Sequence, residues 1–462
     1  MSVLSLLIFS LPIMTGILIA HLLWMDKNNP IELLFKLSLG TGLGLGVSSL
    51  LYYIYLLIFP GSPYFIFVEL ALFSMILAVV YFKYEPVTYV SALRLNMNFL
   101  QIVILLVAGV IVASSFLGMV AYSRQRAHGD WDAWMIFNRS ARFIYRGQET
   151  WQDAFSKDMN VMFHADYPPL LALNIASRWD ILNKETTYVP MYLGFLFSLA
   201  SLGLCFGALA NLKSTGQGAL SLILLGGVGL FLGEGGRQTA DVPLAFYVLA
   251  SITFLFFYYH EKRALLMAFA GVTAGLAAWT KNEGIFFMFA SAGVLFFASL
   301  WSRSLRDLLF FGAGLFIPLI LLFHFKSQVA PSSEFLSGGM DAIRHSVMDI
   351  TRHQLIFGAF KGFFLHGGGW YHIGIYLILG AYLLLFYARS RDKSRAILIG
   401  FAILAIQVMG YYGFYLISPY NLEWHVAYSP NRLFVHIYPA TVFVVMAATQ
   451  APETVFSSNQ DL

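Results

Sequence analysis

The sequence predicts an all-α polytopic membrane protein of about 13 transmembrane helices, with amphipathic helices in the loops on one face of the membrane. Composition is the first observation behind this. Charged residues make up 11% of the chain and hydrophobic ones 59%, with a mean hydropathy of +0.72; soluble domains carry roughly 25% and 45–50%. The second is length: apolar stretches of the roughly 17–25 residues that cross a bilayer core recur from end to end. No soluble domain of any size fits between them. The third is asymmetry, because the conspicuous polar residues fall on one side once the helices are threaded.

Taken in order, the spans are predicted near 3–23, 37–59, 64–82, 100–122, 188–210, 218–233, 240–259, 264–280, 284–300, 308–324, 371–388, 396–417 and 432–449. The first is expected to be a retained helix, since no basic n-region or A-x-A-like site accompanies it. The chain divides into N-terminal helices (1–99), a transmembrane core (100–324) with its first long loop at 123–187, a second long loop (325–370) and C-terminal helices (371–462). Orientation follows from Lys and Arg in short loops, which favour the cytoplasm. Lys262-Arg263, the 303–306 turn and Arg389-Arg391-Lys393-Arg395 alternate correctly along these helices to share that side. Lys213 and the loops 26–36 and 83–94 then also fall inside, with the N-terminus outside and the C-terminus inside. The count requires that 167–181 does not cross. Its apolar run from Pro168 to Trp179 is only about a dozen residues, which reads as a re-entrant or interfacial helix.

The outside segments are therefore 123–187, 234–239, 281–283, 326–370 and 418–431. A net charge of +4 is small for this length and gives no reason to expect nucleic-acid binding. The lone Cys205 lies in an apolar stretch, so neither a disulfide framework nor a cysteine metal site is available.

The first long loop opens His128-Gly129-Asp130-Trp131-Asp132-Ala133-Trp134. On an extended segment, residues two apart point the same way, so Asp130 and Asp132 could face one ligand; alternatively Asp132 is a helix N-cap. Trp134, Phe137, Ala141 and Ile144 then recur at helical spacing, with Arg139, Arg142 and Arg146 off the stripe, as in an interfacial amphipathic helix. His164-Ala165-Asp166-Tyr167-Pro168-Pro169 guards the short helix, the prolines starting it without wasting a donor. Asp166 can act as acid, cap or ion-pair partner.

In Gly233-Glu234-Gly235-Gly236-Arg237-Gln238-Thr239-Ala240-Asp241, Arg237 offers a planar fork suited to phosphate. Asp241 sits just inside a helix, where a charge needs a partner, and an Arg237–Asp241 pair one turn apart competes with ligand contact. Thr280-Lys281-Asn282-Glu283-Gly284 holds more polar residues than a tight turn needs. Lys281 is a compact charge for a phosphate, and Glu283 can orient it or cap the next helix. Asp341, Arg344, His345, Asp349, Arg352 and His353 recur every three or four residues, as in an amphipathic helix. Its arginines can meet an anionic substrate or neutralise the neighbouring acids. Before the last helix, Glu423, His425 and Arg432 place a carboxylate, a switchable imidazole and a fixed cation at one face; Arg432 can equally snorkel from the helix start.

These clusters, in this order, resemble the GT-C superfamily of membrane glycosyltransferases, which includes protein mannosyltransferases and the lipid A aminoarabinose transferase. Asp130-Trp131-Asp132-Ala133-Trp134 with Asn138-Arg139-Ser140-Ala141-Arg142 is similar to the family's acidic loop and interfacial helix. Asp166-Tyr167-Pro168-Pro169-Leu170-Leu171 is similar to its proline-rich entrance. Ala274-Gly275-Leu276-Ala277-Ala278-Trp279-Thr280-Lys281-Asn282-Glu283-Gly284 resembles its "aGLa.ltK.eG" segment, and Arg237 to Pro243 has the family's look. The matches cover about 110–290. Three helices precede the one leading to the acidic loop where many members have one, and the acids are spaced rather than adjacent.

The resemblance implies a GT-C-like bundle in a bacterial inner membrane, transferring a sugar from a polyprenyl-phosphate carrier to a glycolipid, polysaccharide or protein outside the cytoplasm. Asp132 would be the base, with Asp130 as second choice. Lys281, Arg237 and Arg432 would hold the phosphate, with Glu283, Asp241, Asp166, His164, His425 and Arg344 as further substrate contacts. No cofactor is expected; a divalent metal on the Asp-x-Asp carboxylates is conceivable but not favoured. Membrane lipids and the acceptor are the implied partners. Two other readings stand beside it: an O-antigen-ligase-like transferase of a lipid-linked glycan, and a transporter, which would place its polar residues near the midplane.

Overall fold

The computed structural model describes residues 4–24, 29–83, 97–158, 163–332, 339–368, 372–388 and 394–457. Apart from an isolated bridge between Tyr387 and Thr449, the regular structure among the described residues is helical. Most of the 83–94 loop, Asp26, Arg389, Arg391, Lys393, Trp370 and Tyr371 lie outside the described residues.

Ten helices are long and apolar enough to cross a membrane. They are α1 (Ser10–Leu23, within an apolar span from Ser5), α2 (Pro30–Ile58), α3 (Phe65–Lys83), α4 (Phe99–Gln125), α7 (Tyr188–Leu212), α10 (Asp241–Glu261), α12 (Asn282–Ser302), α13 (Arg306–His324), α17 (Ser394–Ile417) and α19 (Pro430–Ala448). The chain is thus a polytopic helical membrane protein. The other three expected spans are different objects. The 218–233 stretch is two helices, α8 (Thr215–Gly227) and α9 (Gly229–Gly236), bent by 62°. The break is at Val228, which takes an extended conformation between glycines. Counting the bent pair as one crossing gives eleven. The remaining two are only 17 and 12 residues long: α11 (Ala264–Thr280) and α16 (Ile375–Phe386).

Sequence chemistry sets where helices start. Asn29 accepts from the Glu32 N–H ahead of Pro30, Asn98 and Gln101 form a reciprocal capping box, and Ser214 accepts from the Gln217 N–H. Burial sets their place in the bundle. In α10 the whole apolar window is buried, whereas only 11% of the α4 window and 17% of the α3 window are. A helix that is apolar all round belongs in the core, so α10 is central and α3 and α4 face lipid.

The segment 167–181 does not cross. Its helix, α6 (Leu170–Leu182), is 13 residues long and almost wholly buried. It runs parallel to α2: Asn174 donates to the Leu45 carbonyl (3.2 Å), Arg178 to Ser48 Oγ (3.0 Å), and Tyr52 to Asp180. The guanidinium of Arg178 is sealed against Glu69 of α3 and the Ile8 carbonyl. A buried charge at this depth requires such a partner, and a short helix is tolerated there because protein encloses it.

The helix ends sort into two groups. At one end Trp24 donates to Glu261, Arg263 pairs with Glu261, and Tyr258 and Tyr259 donate to Asp307. The starts of α10, α12 and α19 and the ends of α11, α13 and α17 meet at the other.

The long 326–370 loop carries two helices where one was expected, α14 (Gly339–Met348) and α15 (Ile350–His366). Asp349 separates them and caps the second through the Thr351 N–H.

Candidate functional site

The site begins where α4 ends. Gly129 has φ +74°, and a Cβ there would lie 2.5 Å from the Arg237 carbonyl. Glycine therefore lets the Asp130 N–H reach that carbonyl at 3.1 Å, which fixes the acidic loop on the turn before α10. Asp132 leads into a π-helical turn, Ala133–Phe137, that continues as α5 (Asn138–Gly147). It makes no capping hydrogen bond, so the N-cap reading of Asp132 is corrected. The wider turn also shifts the apolar stripe. Ile136, Phe137, Ala141 and Ile144 are buried, while Trp134 points outward beside Trp131. Such insertions recur at functional sites.

Asp241, fully buried at the first turn of α10, is the hub. Lys281 Nζ donates to its Oδ1 (2.8 Å), Arg432 Nε and Thr239 Oγ1 donate to its Oδ2 (2.9 and 3.0 Å), and His436 Nε2 lies 2.7 Å from Oδ1. Arg432 turns its other arm to Asp132 Oδ2 (2.6 Å). Lys281 also pairs with Glu283 (3.0 Å). Tyr167 presents its ring to Lys281, 5.8 Å away. This geometry replaces the Arg237–Asp241 pair that the spacing suggested. Arg237 instead bridges Asp130 Oδ2 (3.1 Å) and Glu234 Oε1 (2.7 Å). The reason is directional: Arg237 lies in the turn before α10, so no helical face holds it beside Asp241.

Asp130 is fully engaged. Its Oδ1 accepts from Tyr122 and Arg126, both at 2.6 Å, and Arg237 holds Oδ2. Partial burial pushes its carboxyl up, but the Tyr122 and Arg126 bonds and the Arg237 charge outweigh that and hold it below the usual carboxylate range. Asp132 has no partner besides Arg432 among the described residues. The two carboxylates of Asp-x-Asp thus answer to different arginines.

Asp166 accepts from Asn282 Nδ2 (2.8 Å), and Lys326 donates to the Asp166 backbone carbonyl. This ties the proline entrance to the start of α12. Gly284 permits the close α11–α12 turn beside it, because a Cβ there would lie 1.9 Å from the Ala277 carbonyl. His164 stacks on Tyr167 at 4.7 Å. The Glu283 carboxylate keeps one oxygen, Oε2, buried without a partner.

Over the network lies an open, mainly polar cleft of about 560 Å³. Arg237, Arg432 and Glu234 line it, with Tyr428 and Asn431 on one wall and Gly229 and Gly233 of α9 on another. Glu234 is almost buried and its Oε2 has no partner.

Eight of the eleven residues marked in the sequence belong to this constellation directly: Asp130, Asp132, Asp166, Arg237, Asp241, Lys281, Glu283 and Arg432. His164 joins through Tyr167. His425, on α18 (Leu422–Tyr428), stands apart. It contacts Ser418 (2.9 Å) within a box of Phe414, Tyr415 and Tyr420 rings. Burial pushes its pKa down to about 4, so it is neutral at physiological pH and the switchable reading is corrected. Arg344 is exposed on α14, lining a separate cleft with Asp341 and Asp349. Arg352 caps α17 through the Tyr415, Leu416 and Ser418 carbonyls.

Sequence reasoning missed Tyr122, Arg126, Glu234, Lys326 and His436. His436 had a signal: it is a histidine inside an apolar helix, one turn after Arg432. Among the described residues no group of three His, Cys, Asp or Glu side chains is arranged to hold a metal ion. No family model matches the chain, and neither does any curated protein or solved structure.

Proposed function

We propose that the protein is an integral membrane glycosyltransferase that moves a sugar from a polyprenyl-phosphate donor to an acceptor hydroxyl outside the cytoplasm. One observation carries the reading. Two arginines, Arg237 and Arg432, line the same cleft, and Arg432 links Asp132 to the buried Asp241 carboxylate. Planar guanidinium groups suit a phosphate, and fixed charges aimed at the leaving oxygen stabilise it as charge develops.

Asp132 accepts the acceptor proton as the acceptor oxygen bonds to the anomeric carbon. The bond from that carbon to the phosphate oxygen breaks, and its electron pair leaves on the phosphate. Asp130 suits this role poorly, because all its partners stabilise the ionised form. The glycine face of α9 beside the cleft would admit the isoprenoid tail, since a Cβ at Gly229 or Gly233 meets nothing within 4 Å. In this reading the bent α8–α9 pair, α11 and α16 complete a GT-C-like bundle of about 13 segments in a bacterial inner membrane. Lys262-Arg263 and the 303–306 turn lie in the cytoplasm, the N-terminus lies outside and the C-terminus inside. The cleft faces the periplasm.

The test is sugar release from a panel of polyprenyl-phosphate monosaccharides by purified protein in lipid nanodiscs. Asp132→Asn is expected to lower turnover by about 10²–10⁴-fold while the protein stays folded; Arg237→Gln should weaken donor binding. A protein inert across the panel, or one whose turnover survives Asp132→Asn, overturns the assignment.

A further inference from the structure

A second cleft, of about 300 Å³, opens between the end of α2, the loop at 59–64, the end of α5 and the end of α6. It lies at the far end of α5 from Asp132, on the order of 20 Å away by helical rise. Tyr52, Tyr145, Arg146, Gln148, Asp180 and Asn183 supply its polar lining, and Leu56 and Ile144 its apolar part.

The cleft is a built feature. Asp180 accepts from Tyr52 through Oδ2, and its Oδ1 has no hydrogen-bond partner among the described residues. Among the described residues, the side-chain amides of Gln148 and Asn183 have no hydrogen-bond partner either. The Tyr145 ring is held edge-on to Trp179, 6.2 Å away. Three backbone positions on the rim have positive φ: Gly61 at +76°, Gln148 at +48° and Asn183 at +49°. Asn183 simply ends a helix, but Gln148, with ψ −102°, is a genuine outlier. Strain of that kind concentrates at ligand clamps.

Charge narrows the ligand. Arg146 is taken by Glu185 through two bonds of 2.5 and 2.8 Å, and Arg142 adds a third contact. Arg178 is sealed behind the cleft against Glu69. Arg146 is the one cation in the lining and Glu185 neutralises it, so the cleft offers a phosphate no net positive charge. An ammonium would satisfy Asp180 and leave both amides idle. A neutral ligand rich in hydroxyls uses everything present: a carboxyl group, two amides as donors and acceptors, and an aromatic face for the apolar side of a ring.

We propose that this cleft is a carbohydrate-binding site that takes a neutral sugar unit through Asp180, Gln148, Asn183 and the Tyr145 ring. Its identification as the anchor for an acceptor glycan rests on the transferase reading; the carbohydrate assignment does not.

The test is saturation-transfer NMR on the full-length protein in nanodiscs, with neutral trisaccharides built from glucose, galactose, mannose or N-acetylglucosamine. Ethanolamine and inorganic phosphate serve as the charged probes. At least one saccharide is expected to bind. Gln148→Gly with Asn183→Gly keeps both backbone conformations accessible and should weaken binding by about tenfold or more, whereas Asp132→Asn should leave it intact. Circular dichroism and the unfolding midpoint check that the double variant folds. Silence from every saccharide, binding indifferent to the double variant, or preference for ethanolamine or phosphate overturns the proposal. Saccharide binding by a protein inert as a transferase sinks only the transferase reading.

Discussion

Asp241 has no exposed side-chain surface, yet two fixed cations, a histidine and a hydroxyl converge on its two oxygens. Breaking a buried pair from one side leaves the partner charge uncompensated, at about 3–5 kcal/mol. Asp241→Asn is therefore expected to lower the unfolding midpoint in detergent sharply. Asp132→Asn removes a carboxylate that is 21% exposed and leaves Arg432 its Asp241 contact, and should shift stability by about 1 kcal/mol or less. Equal losses for the two would contradict the hub. Asp180 gives a second residue-scale prediction. Burial raises its pKa to about 7 despite the Tyr52 bond and the Arg178 charge, above the unfolded value of about 3.9. The folded state then holds the extra proton between those values. The contribution is present below pH 4 and is lost as pH rises through 7. Stability measured from pH 5 to 8 should fall less steeply in Asp180→Asn than in the wild type. Much of the site was legible at this scale, because Asp241, Lys281 and Arg432 are charges that a membrane helix does not carry idly. Their pairing was not legible. Spacing along the chain cannot show that Arg432 would cross to Asp241 while Arg237 turned back to Asp130.

Elements differ in how openly the sequence displays them. The long spans were readable from apolar length alone, since lipid demands it. The 218–233 stretch comes close to that length but contains Gly226-Gly227-Val228-Gly229, and its backbone breaks there. Hydropathy is blind to this, because glycine lowers helix stability without lowering apolarity much. The π-helical turn at 133–137 was equally hidden, its one extra residue moving Trp134 from the stripe to the surface. Two glycines test whether element packing is understood. Gly284→Ala would drive a Cβ to 1.9 Å from the Ala277 carbonyl, and overpacking of that kind costs about 1–3 kcal/mol. Gly233→Ala meets open space and should raise helix stability by about 0.5–1 kcal/mol. Unfolding midpoints in one detergent compare them directly, and a cost at Gly233 equal to that at Gly284 would mean the cleft beside α9 is closed.

At the scale of the whole molecule, the two ends of the bundle use charge differently. Around the site, Arg126, Arg237, Lys281 and Arg432 are each bound to carboxylates. At the other end Arg263 and Arg395 also meet carboxylates, but Lys262 packs over the rings of Tyr258 and Tyr259 and Arg303 is exposed at the end of α12. In the proposed orientation the second end is cytoplasmic, because Lys and Arg in short loops favour that side. Cysteine labelling decides it, and the chain is suited to the method because its single cysteine, Cys205, is buried. In a Cys205→Ser background, Thr150→Cys and Glu423→Cys place thiols at exposed positions of the site end, and Ser304→Cys places one at the opposite end. A membrane-impermeant maleimide added to intact spheroplasts should modify the first two and reach the third only after lysis. The reverse pattern would turn the cleft toward the cytoplasm. The network around Asp241 would stand unchanged, but transfer to an acceptor outside the cytoplasm would lose its geometry, and the reaction would have to be sought on the other face.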